Sequence, residues 1–394
     1  MPEQLPASCT ELLQAMVGFD TVNSNISGRP AAERELAQYL ETLARALGFE
    51  TERLSVSGGS FNLLVTHRVD EDAAWLLFES HMDTVSVEGM TVDPFAAKID
   101  GGRLYGRGAC DTKGTGAAML WALHHGVEQG GLANNVAVLY TVDEELKKTG
   151  VRTFVERHVP ALGWQASGAV IGEPTGLRPV VAHNGVVRWR LSTRGQAAHS
   201  SNPANGRSAI SMMLKVVEAL ETRYIPDLRV SHPLTGRAQA SVNIIRGGTQ
   251  VNIIPEHCEI TVDRRVVPGE DPTDVLPTVE RLLDEVRRDD PSLEVRQETP
   301  DMVDLPLDPR GGEGFAGFVQ GVLEQQGLPA DPEGAGYGTD ASSLGPVHIP
   351  AVVLGPGSIA QGHTADEWIE LAALDRGVEV YRALMCTAVP AAGA

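Results

Sequence analysis

Three short apolar runs, each followed closely by acidic or histidine side chains, constrain the fold of this chain most. The runs are residues 74–78, 136–140 and 169–171. They are followed, in chain order, by His81, by Asp143-Glu144-Glu145 and by Glu173. Short apolar runs are typical of strands buried on both faces of a sheet. Because ligands gather beyond the C-terminal ends of strands in α/β sheets, we expect these polar side chains to meet at one edge.

The segments around these strands have the apolar spacing of helices. Residues 6–19, 31–47 and 113–128 repeat apolar positions at helical intervals, and residues 61–65 form another apolar strand-like run. Strands that alternate with helices predict an α/β domain whose sheet is covered on both faces.

The pattern changes near residue 183 and returns near residue 298. In between, the predicted order is a strand at 186–191, a helix at 205–223, strands at 238–245 and 257–265, and a helix at 272–288. This βαββαβ-like order is typical of a small α+β domain. A strand at 351–354 and a helix at 369–386 then resume the α/β pattern. We therefore predict a catalytic domain at 1–182 and 298–394, interrupted by an inserted domain at 183–297.

Composition excludes several classes of partner. A chain of 394 residues is long enough for two domains, and its formal net charge of −20 disfavours nucleic acid and anionic membranes. No apolar run reaches the length of a membrane span, and residues 1–10 lack the layout of a signal peptide. Four scattered cysteines predict free thiols in a reducing cytoplasm.

The polar side chains at the strand ends suit a metal centre. His, Asp and Glu together bind zinc or cobalt. Candidate ligands are His81, Asp111, Glu145, Glu173 and His363. Taken singly, each has an ordinary alternative, such as a surface turn, a helix N-cap or a solvated loop. Together, five ligands with one shared carboxylate favour a two-metal site over a single zinc.

Two acids beside the candidate ligands have no place in the ligand set. Glu144 directly precedes Glu145 and is free to take a proton from water. Asp83 follows His81 by two residues, so that both side chains can point to one face of a strand, and it can orient the imidazole. These positions favour metal-assisted hydrolysis.

Several motifs, in order along the whole chain, resemble the dizinc amidohydrolase and exopeptidase family. This family includes acetylornithine deacetylase, succinyl-diaminopimelate desuccinylase, aminoacylase and glutamate carboxypeptidase. The matching segments are Ser80 to Val85, Gly106 to Gly114, Asp143-Glu144-Glu145, Gly172 to Thr175, Ala198-His199-Ser200, and Gly355-Pro356-Gly357 before His363. The stretch 171–183 looks most like acetylornithine deacetylases.

The resemblance implies a fold and a metal arrangement. The expected fold is α/β: a mixed-sheet catalytic domain with an inserted ferredoxin-like domain that serves as dimerisation lid. Two Zn²⁺ or Co²⁺ ions are implied, one held by His81 and Glu173 and the other by Glu145 and His363. Asp111 would bridge them, and a cis peptide would follow it.

Catalytic and substrate-binding roles are implied in the same way. Glu144 would be the general base, and His199 would reach across a homodimer to polarise the scissile carbonyl. Asn252 and Arg265 match positions that contact the substrate. Arg264 beside Arg265 leaves the carboxylate-binding arginine open by one position.

We expect an amidohydrolase that removes an N-acyl group from an amino acid, with N-acetylornithine as first choice and arginine biosynthesis as its setting. Alternatives within the family are desuccinylation, general aminoacylase activity, and carboxypeptidase or dipeptidase activity. A non-catalytic metal-binding protein is an alternative of another class, although Glu144 is present. A nucleotide-binding enzyme is disfavoured because no strand precedes GxGxxG or GxxxxGK[ST].

Overall fold

The computed structural model describes residues 5–390, which fall into two compact units. The first unit comprises the described residues of Met1–Val181, Pro309–Glu333 and Thr339–Ala394. The second comprises Ala182–Asp308 with Gly334–Gly338. The roles predicted for the two parts of the chain, catalytic domain and dimerisation lid, stay predictions.

Helices and strands alternate through much of the described chain. The α-helices are α1 (Cys9–Val17), α2 (Ser24–Ser27), α3 (Arg34–Ala46), α4 (Lys113–Gln129), α5 (Thr149–Thr153), α6 (Ala209–Ala219), α7 (Ile225–Asp227), α8 (Val275–Asp289), α9 (Glu313–Gln325) and α10 (Leu371–Cys386). The strands are β1 (Glu50–Ser55), β2 (Phe61–His67), β3 (Trp75–His81), β4 (Lys98–Asp100), β5 (Arg103–Tyr105), β6 (Asn135–Thr141), β7 (Ala166–Ile171), β8 (Val180–His183), β9 (Gly185–Arg194), β10 (Ala198–His199), β11 (Ser231–His232), β12 (Gly236–Arg237), β13 (Gln239–Gly247), β14 (Ile253–Ile254), β15 (His257–Val266), β16 (Val295–Gln297), β17 (Met302–Asp304), β18 (Glu333–Ala335), β19 (Ala351–Val353) and β20 (Trp368–Glu370). Short 3₁₀ or π turns lie at Phe154–His158, Val159–Ala161, Pro203–Asn205, Leu220–Tyr224, Pro272–Asp274 and Asp340–Val347.

A large mixed sheet organises the first unit. Its strand order is β1-β2-β6-β3-β7-β19, and Val353 of β19 pairs onward with Val180 of β8. β3 runs parallel to β6 and β7, and β19 runs parallel to β7, whereas β1 and β2 are antiparallel. Every residue of β3 and β6 is buried, which requires cover on both faces. The predicted α/β class with a mixed sheet is confirmed.

The register of the parallel strands brings their C-terminal ends to one edge. His81 pairs with Thr141, and Glu79 pairs with Ile171. The residues that follow β6 and β7 therefore leave the sheet beside His81, as the sequence predicts. Helices α1, α3, α4, α9 and α10 contribute to the apolar core of this unit, in which Phe78 meets Tyr381 edge to face at 5.8 Å.

The second unit is an antiparallel sheet with helices α6 and α8 packed on it. Its strand order is β13-β15-β9-β16, with β17 also paired to β9. Apart from short elements between them, β9, α6, β13, β15, α8 and β16 follow one another along the chain in the predicted βαββαβ-like order. Because β17 joins this sheet, the unit extends to Asp308, beyond the residue 297 where the sequence pattern changes. The helix expected from 205 begins at Ala209, since Ser208 caps it by accepting from the Ser211 amide.

Helix α9 and strand β1 are among the elements that the sequence patterns did not predict, and both have a physical reason. Helix α9 contains three glycines, Gly314, Gly317 and Gly321, which weaken its helical pattern. Strand β1 carries mostly exposed polar residues, as edge strands often do.

Within residues 5–390, no helix combines the length and apolar character needed to cross a bilayer. All four cysteines are free thiols, as predicted.

Candidate metal centre

His81, the last residue of β3, presents one ring nitrogen to two carboxylates. Its side chain is almost fully buried, and Nδ1 lies 2.9 Å from the backbone oxygen of Asp83. The other nitrogen, Nε2, lies 3.3 Å from Asp111 Oδ1 and 3.9 Å from Glu173 Oε1. The Nδ1 contact fixes the ring, so that Nε2 faces the acids.

Asp111 lies between two imidazoles. Its Oδ1 faces His81, and its Oδ2 lies 3.2 Å from His363 Nε2. Gly362 allows this approach, because a Cβ there would stand 3.0 Å from Asp111 Oδ2. The peptide bond from Asp111 to Thr112 is cis, which confirms the expectation from the resemblance. A carboxylate with one oxygen toward each imidazole has the arrangement that a bridging ligand requires.

Asp83 holds the backbone of the two glutamates that follow β6. Its Oδ1 accepts from the Glu144 amide at 2.9 Å, and its Oδ2 accepts from the Glu145 amide at 3.2 Å. The side-chain amide of Asn23 also donates to Oδ2 at 2.8 Å. Asp83 is fully buried. It therefore orients the Glu144-Glu145 pair as well as contacting His81.

The side chains of Glu144 and Glu145 have different partners. Glu145 Oε1 lies 3.1 Å from His363 Nε2. Glu144 Oε1 instead lies 3.6 Å from the ammonium nitrogen of Lys148. Two neighbouring carboxylates with a common backbone anchor are thus directed to different groups.

The donor atoms lie close enough together to hold metal ions. In the described residues, two sets of ligand atoms each lie within 4.8 Å of one another: His81 with Asp111 and Glu145, and His81 with Glu144 and Glu173. Imidazole and carboxylate donors suit zinc and cobalt. The five residues predicted as ligands therefore lie together. His363 belongs to neither set, but its Nε2 contacts both Asp111 and Glu145.

Electrostatics also fit bound cations. Burial raises the pKa of Glu145 to about 7 and, with the charge of Asp111, raises the pKa of Glu173 well above its usual range. Hydrogen bonds to Asp111 and Glu145 raise the pKa of His363 to about 10. Burial works against ionisation of Asp111, but its hydrogen bonds with His363 and His81 hold its pKa below the usual range. Without metal, protons on imidazole and carboxyl groups balance the buried acids, and divalent cations can replace those protons.

The other predicted site residues lie in the second unit. His199 is exposed, with Nδ1 2.8 Å from Ser201 Oγ, and Asn252 is exposed. Arg265 is partly exposed and donates through Nε to Asp263 Oδ1 at 2.9 Å. Arg264 is buried and pairs with Glu270 at 2.6 Å. Since Arg264 is committed to Glu270, Arg265 is the more accessible of the two arginines.

The structure adds a residue that sequence reasoning missed. Glu367 is completely buried; its Oε1 accepts from the amides of Cys110 and Asp111 at 3.0 Å each, and its Oε2 accepts from Arg107 at 2.6 Å. Glu367 thereby fixes the turn that carries Asp111. The sequence signal that could have identified Glu367 is its position four residues after the candidate ligand His363. No sequence signal identifies Asn23, because it lies 60 residues before Asp83, which it contacts.

Comparisons with known proteins agree with this geometry. The sequence profile of peptidase family M20/M25/M40 matches residues 77–387. The chain belongs to this family. The acetylornithine deacetylase of Myxococcus xanthus is 31% identical over 396 residues, which cover 95% of this chain and 96% of that protein. The predicted family membership is confirmed, and the family with its deacetylase relatives makes the chain a metal-dependent amidohydrolase.

Solved structures of the family share the fold. An M20 family metallo-carboxypeptidase from Sulfolobus solfataricus superposes with a TM-score of 0.80 at 18% identity, covering 97% of this chain and 99% of that chain. A dinuclear metal-binding peptidase of the M20 family from Bacillus subtilis gives a TM-score of 0.71 at 15% identity, with 96% of each chain covered.

The role of Glu367 in supporting the turn can be tested by Glu367→Ala. The change leaves the buried Arg107 without its carboxylate partner and removes the acceptor of two amides, a defect that costs about 3–5 kcal/mol. We expect a lower urea midpoint and weaker metal binding. Asp366→Ala, at an exposed neighbouring acid, is the matched control. Equal midpoints for the two variants would contradict this role.

Proposed function

We propose that this chain hydrolyses the amide bond of N-acyl amino acids, with N-acetylornithine as its substrate, and that it does so with two divalent ions. The observation that carries the proposal is the carboxylate of Asp111 between His81 and His363. Relatives named acetylornithine deacetylase, similar over nearly the whole chain, support this substrate. A place in arginine biosynthesis is part of the same proposal.

The ligand roles follow the contacts of the site. His81 and Glu173 would hold one ion, Glu145 and His363 the other, and Asp111 would contact both. Zinc or cobalt suits this donor set. Bound ions would polarise the amide carbonyl and lower the pKa of water, so that a nucleophile is available at neutral pH.

Glu144 is the general base in this proposal. Its carboxylate lies within reach of the candidate ligands, and its backbone is held by Asp83. Burial raises the pKa of Glu144, against the opposing charge of Lys148, which suits a group that both accepts and returns a proton. Glu144 takes the proton of the attacking water and passes it to the nitrogen of the leaving amine.

The second unit supplies substrate contacts in this proposal. His199 would stabilise the negative charge that develops on the carbonyl oxygen. Asn252 and Arg265 would bind the backbone and carboxylate of the amino acid. The unit would form the interface of a homodimer, and His199 would serve the site of the neighbouring subunit.

A hydrolysis screen tests the substrate. Metal-loaded protein is assayed with N-acetyl, N-succinyl and N-formyl derivatives of ornithine and other amino acids, and with dipeptides. We expect the highest kcat/KM for N-acetylornithine, at least about tenfold above the other compounds. Chelator-treated protein is the control and should regain activity with zinc or cobalt. Failure to hydrolyse any of these amides, or full activity after complete metal removal, would refute the proposal.

Mixing two inactive variants tests whether His199 acts across a dimer. His199→Ala and Glu144→Gln homodimers each lack one essential group at both sites. A heterodimer has one complete site if His199 acts in trans, so that equal mixing with free subunit exchange should restore about a quarter of the parent activity. The absence of recovery, with heterodimers shown to be present, would mean that His199 acts within its own chain or has no catalytic role.

A further inference from the structure

Lys148 is a buried cation beside Glu144. Its side chain is 4% exposed, and its Nζ lies 3.6 Å from Glu144 Oε1, whose side chain is 11% exposed. A buried ammonium group requires a charged or polar partner, because burial removes it from water. The charge of Lys148 also acts on the buried carboxyl groups of Glu79 and Asp340, which both contact Thr141 Oγ1.

The backbone around Lys148 is fixed by the end of β6. Lys148 has a φ of 53°, in the left-handed region, and its amide donates to the Asp143 oxygen at 2.6 Å. The Gly150 amide donates to the Val142 oxygen, and Asn62 donates to the Gly150 oxygen. A Cβ at Gly150 would stand 2.4 Å from the Val142 oxygen, so that only glycine fits this approach. The position of the Lys148 backbone is therefore set by the fold.

Glu144 is close enough to the metal ligands to become one itself. One of its carboxylate oxygens lies within 4.8 Å of the ligand atoms of His81 and Glu173. Asp83 anchors the Glu144 and Glu145 amides alike, and therefore the backbone does not distinguish the two residues. What distinguishes them is the side-chain partner.

These partners differ in what they permit. His363, beside Glu145, can lose its proton and bind a metal itself, so that the two side chains can share one ion. An ammonium group has three donors and no acceptor, and it cannot be a metal ligand while it is charged. A carboxylate that binds an ammonium group also has less charge to offer a metal ion.

We propose that Lys148 is a positioning residue that keeps Glu144 a base: its ammonium group binds the Glu144 carboxylate and prevents it from becoming an additional metal ligand. The assignment of Glu144 as base rests on the proposed function. The competition between ammonium and metal for this carboxylate rests on the geometry alone.

Activity measurements separate positioning from substrate binding. Lys148→Met removes the charge and keeps a long side chain, Lys148→Arg keeps the charge, and Lys147→Met is the matched control at an exposed neighbour that contacts Asn25. For Lys148→Met we expect kcat to fall about 10- to 100-fold, less than the ~10²–10⁴-fold contribution of a general base, because Glu144 is misplaced and not removed. KM should stay within about threefold. Lys148→Arg should stay within about tenfold of the parent kcat, and Lys147→Met should match the parent.

Cobalt titration tests the competition without any substrate. Lys148→Met should bind Co²⁺ at least about fivefold more tightly than the parent, because Glu144 becomes free to ligate. Loss of a positive charge alone also favours a cation. The double variant Glu144→Gln/Lys148→Met is therefore compared with Glu144→Gln, where we expect no comparable gain. Since this readout needs no turnover, it stands even if the substrate screen fails.

Three results would overturn the proposal. The first is a Lys148→Met change that gives no gain in cobalt affinity, or an equal gain in the presence and absence of Glu144. The second is a Lys148→Met variant that raises KM at unchanged kcat, which would make Lys148 a substrate contact. If circular dichroism shows that Lys148→Met does not fold, Lys148→Arg decides. A folded, metal-loaded Lys148→Arg with kcat more than about tenfold below the parent is the third result.

Discussion

The Asp111 carboxylate between His81 and His363 is the contact on which the rest of this site depends. The two imidazoles come from distant parts of the chain, one at the end of β3 and the other in the loop after β19. A carboxylate with one oxygen toward each can neutralise two cations at once. The remaining candidate ligands, Glu145 and Glu173, complete the two sides.

Holding that carboxylate requires a second layer of buried acids. Glu367 accepts the amides of the turn that carries Asp111, and Asp83 accepts the amides of Glu144 and Glu145. In both cases one carboxylate binds two successive backbone amides, so that it fixes the chain and not only a side chain. The acids in this layer are balanced by hydrogen bonds and, at Glu367, by Arg107.

Sequence patterns predicted the candidate metal ligands better than the buried acids that support them. His81, Glu145 and Glu173 follow apolar strands directly, and parallel strands necessarily deliver such residues to one edge. The contact between Asp111 and Glu367 joins residues 256 positions apart, and no local pattern encodes it. No local pattern predicts the burial of Lys148, because it depends on how the loop after β6 folds back on Val142. Helix α9 was missed because its glycines weaken the pattern that identifies helices.

The division of labour between Glu144 and Glu145 is the central claim, and metal content tests it most directly. Glu144→Gln and Glu145→Gln are purified in parallel, dialysed against the same zinc buffer and analysed for bound zinc by mass spectrometry. The account predicts about two ions per chain for Glu144→Gln, as for the parent, and the loss of at least about one ion for Glu145→Gln. Equal loss of zinc from both variants would contradict it.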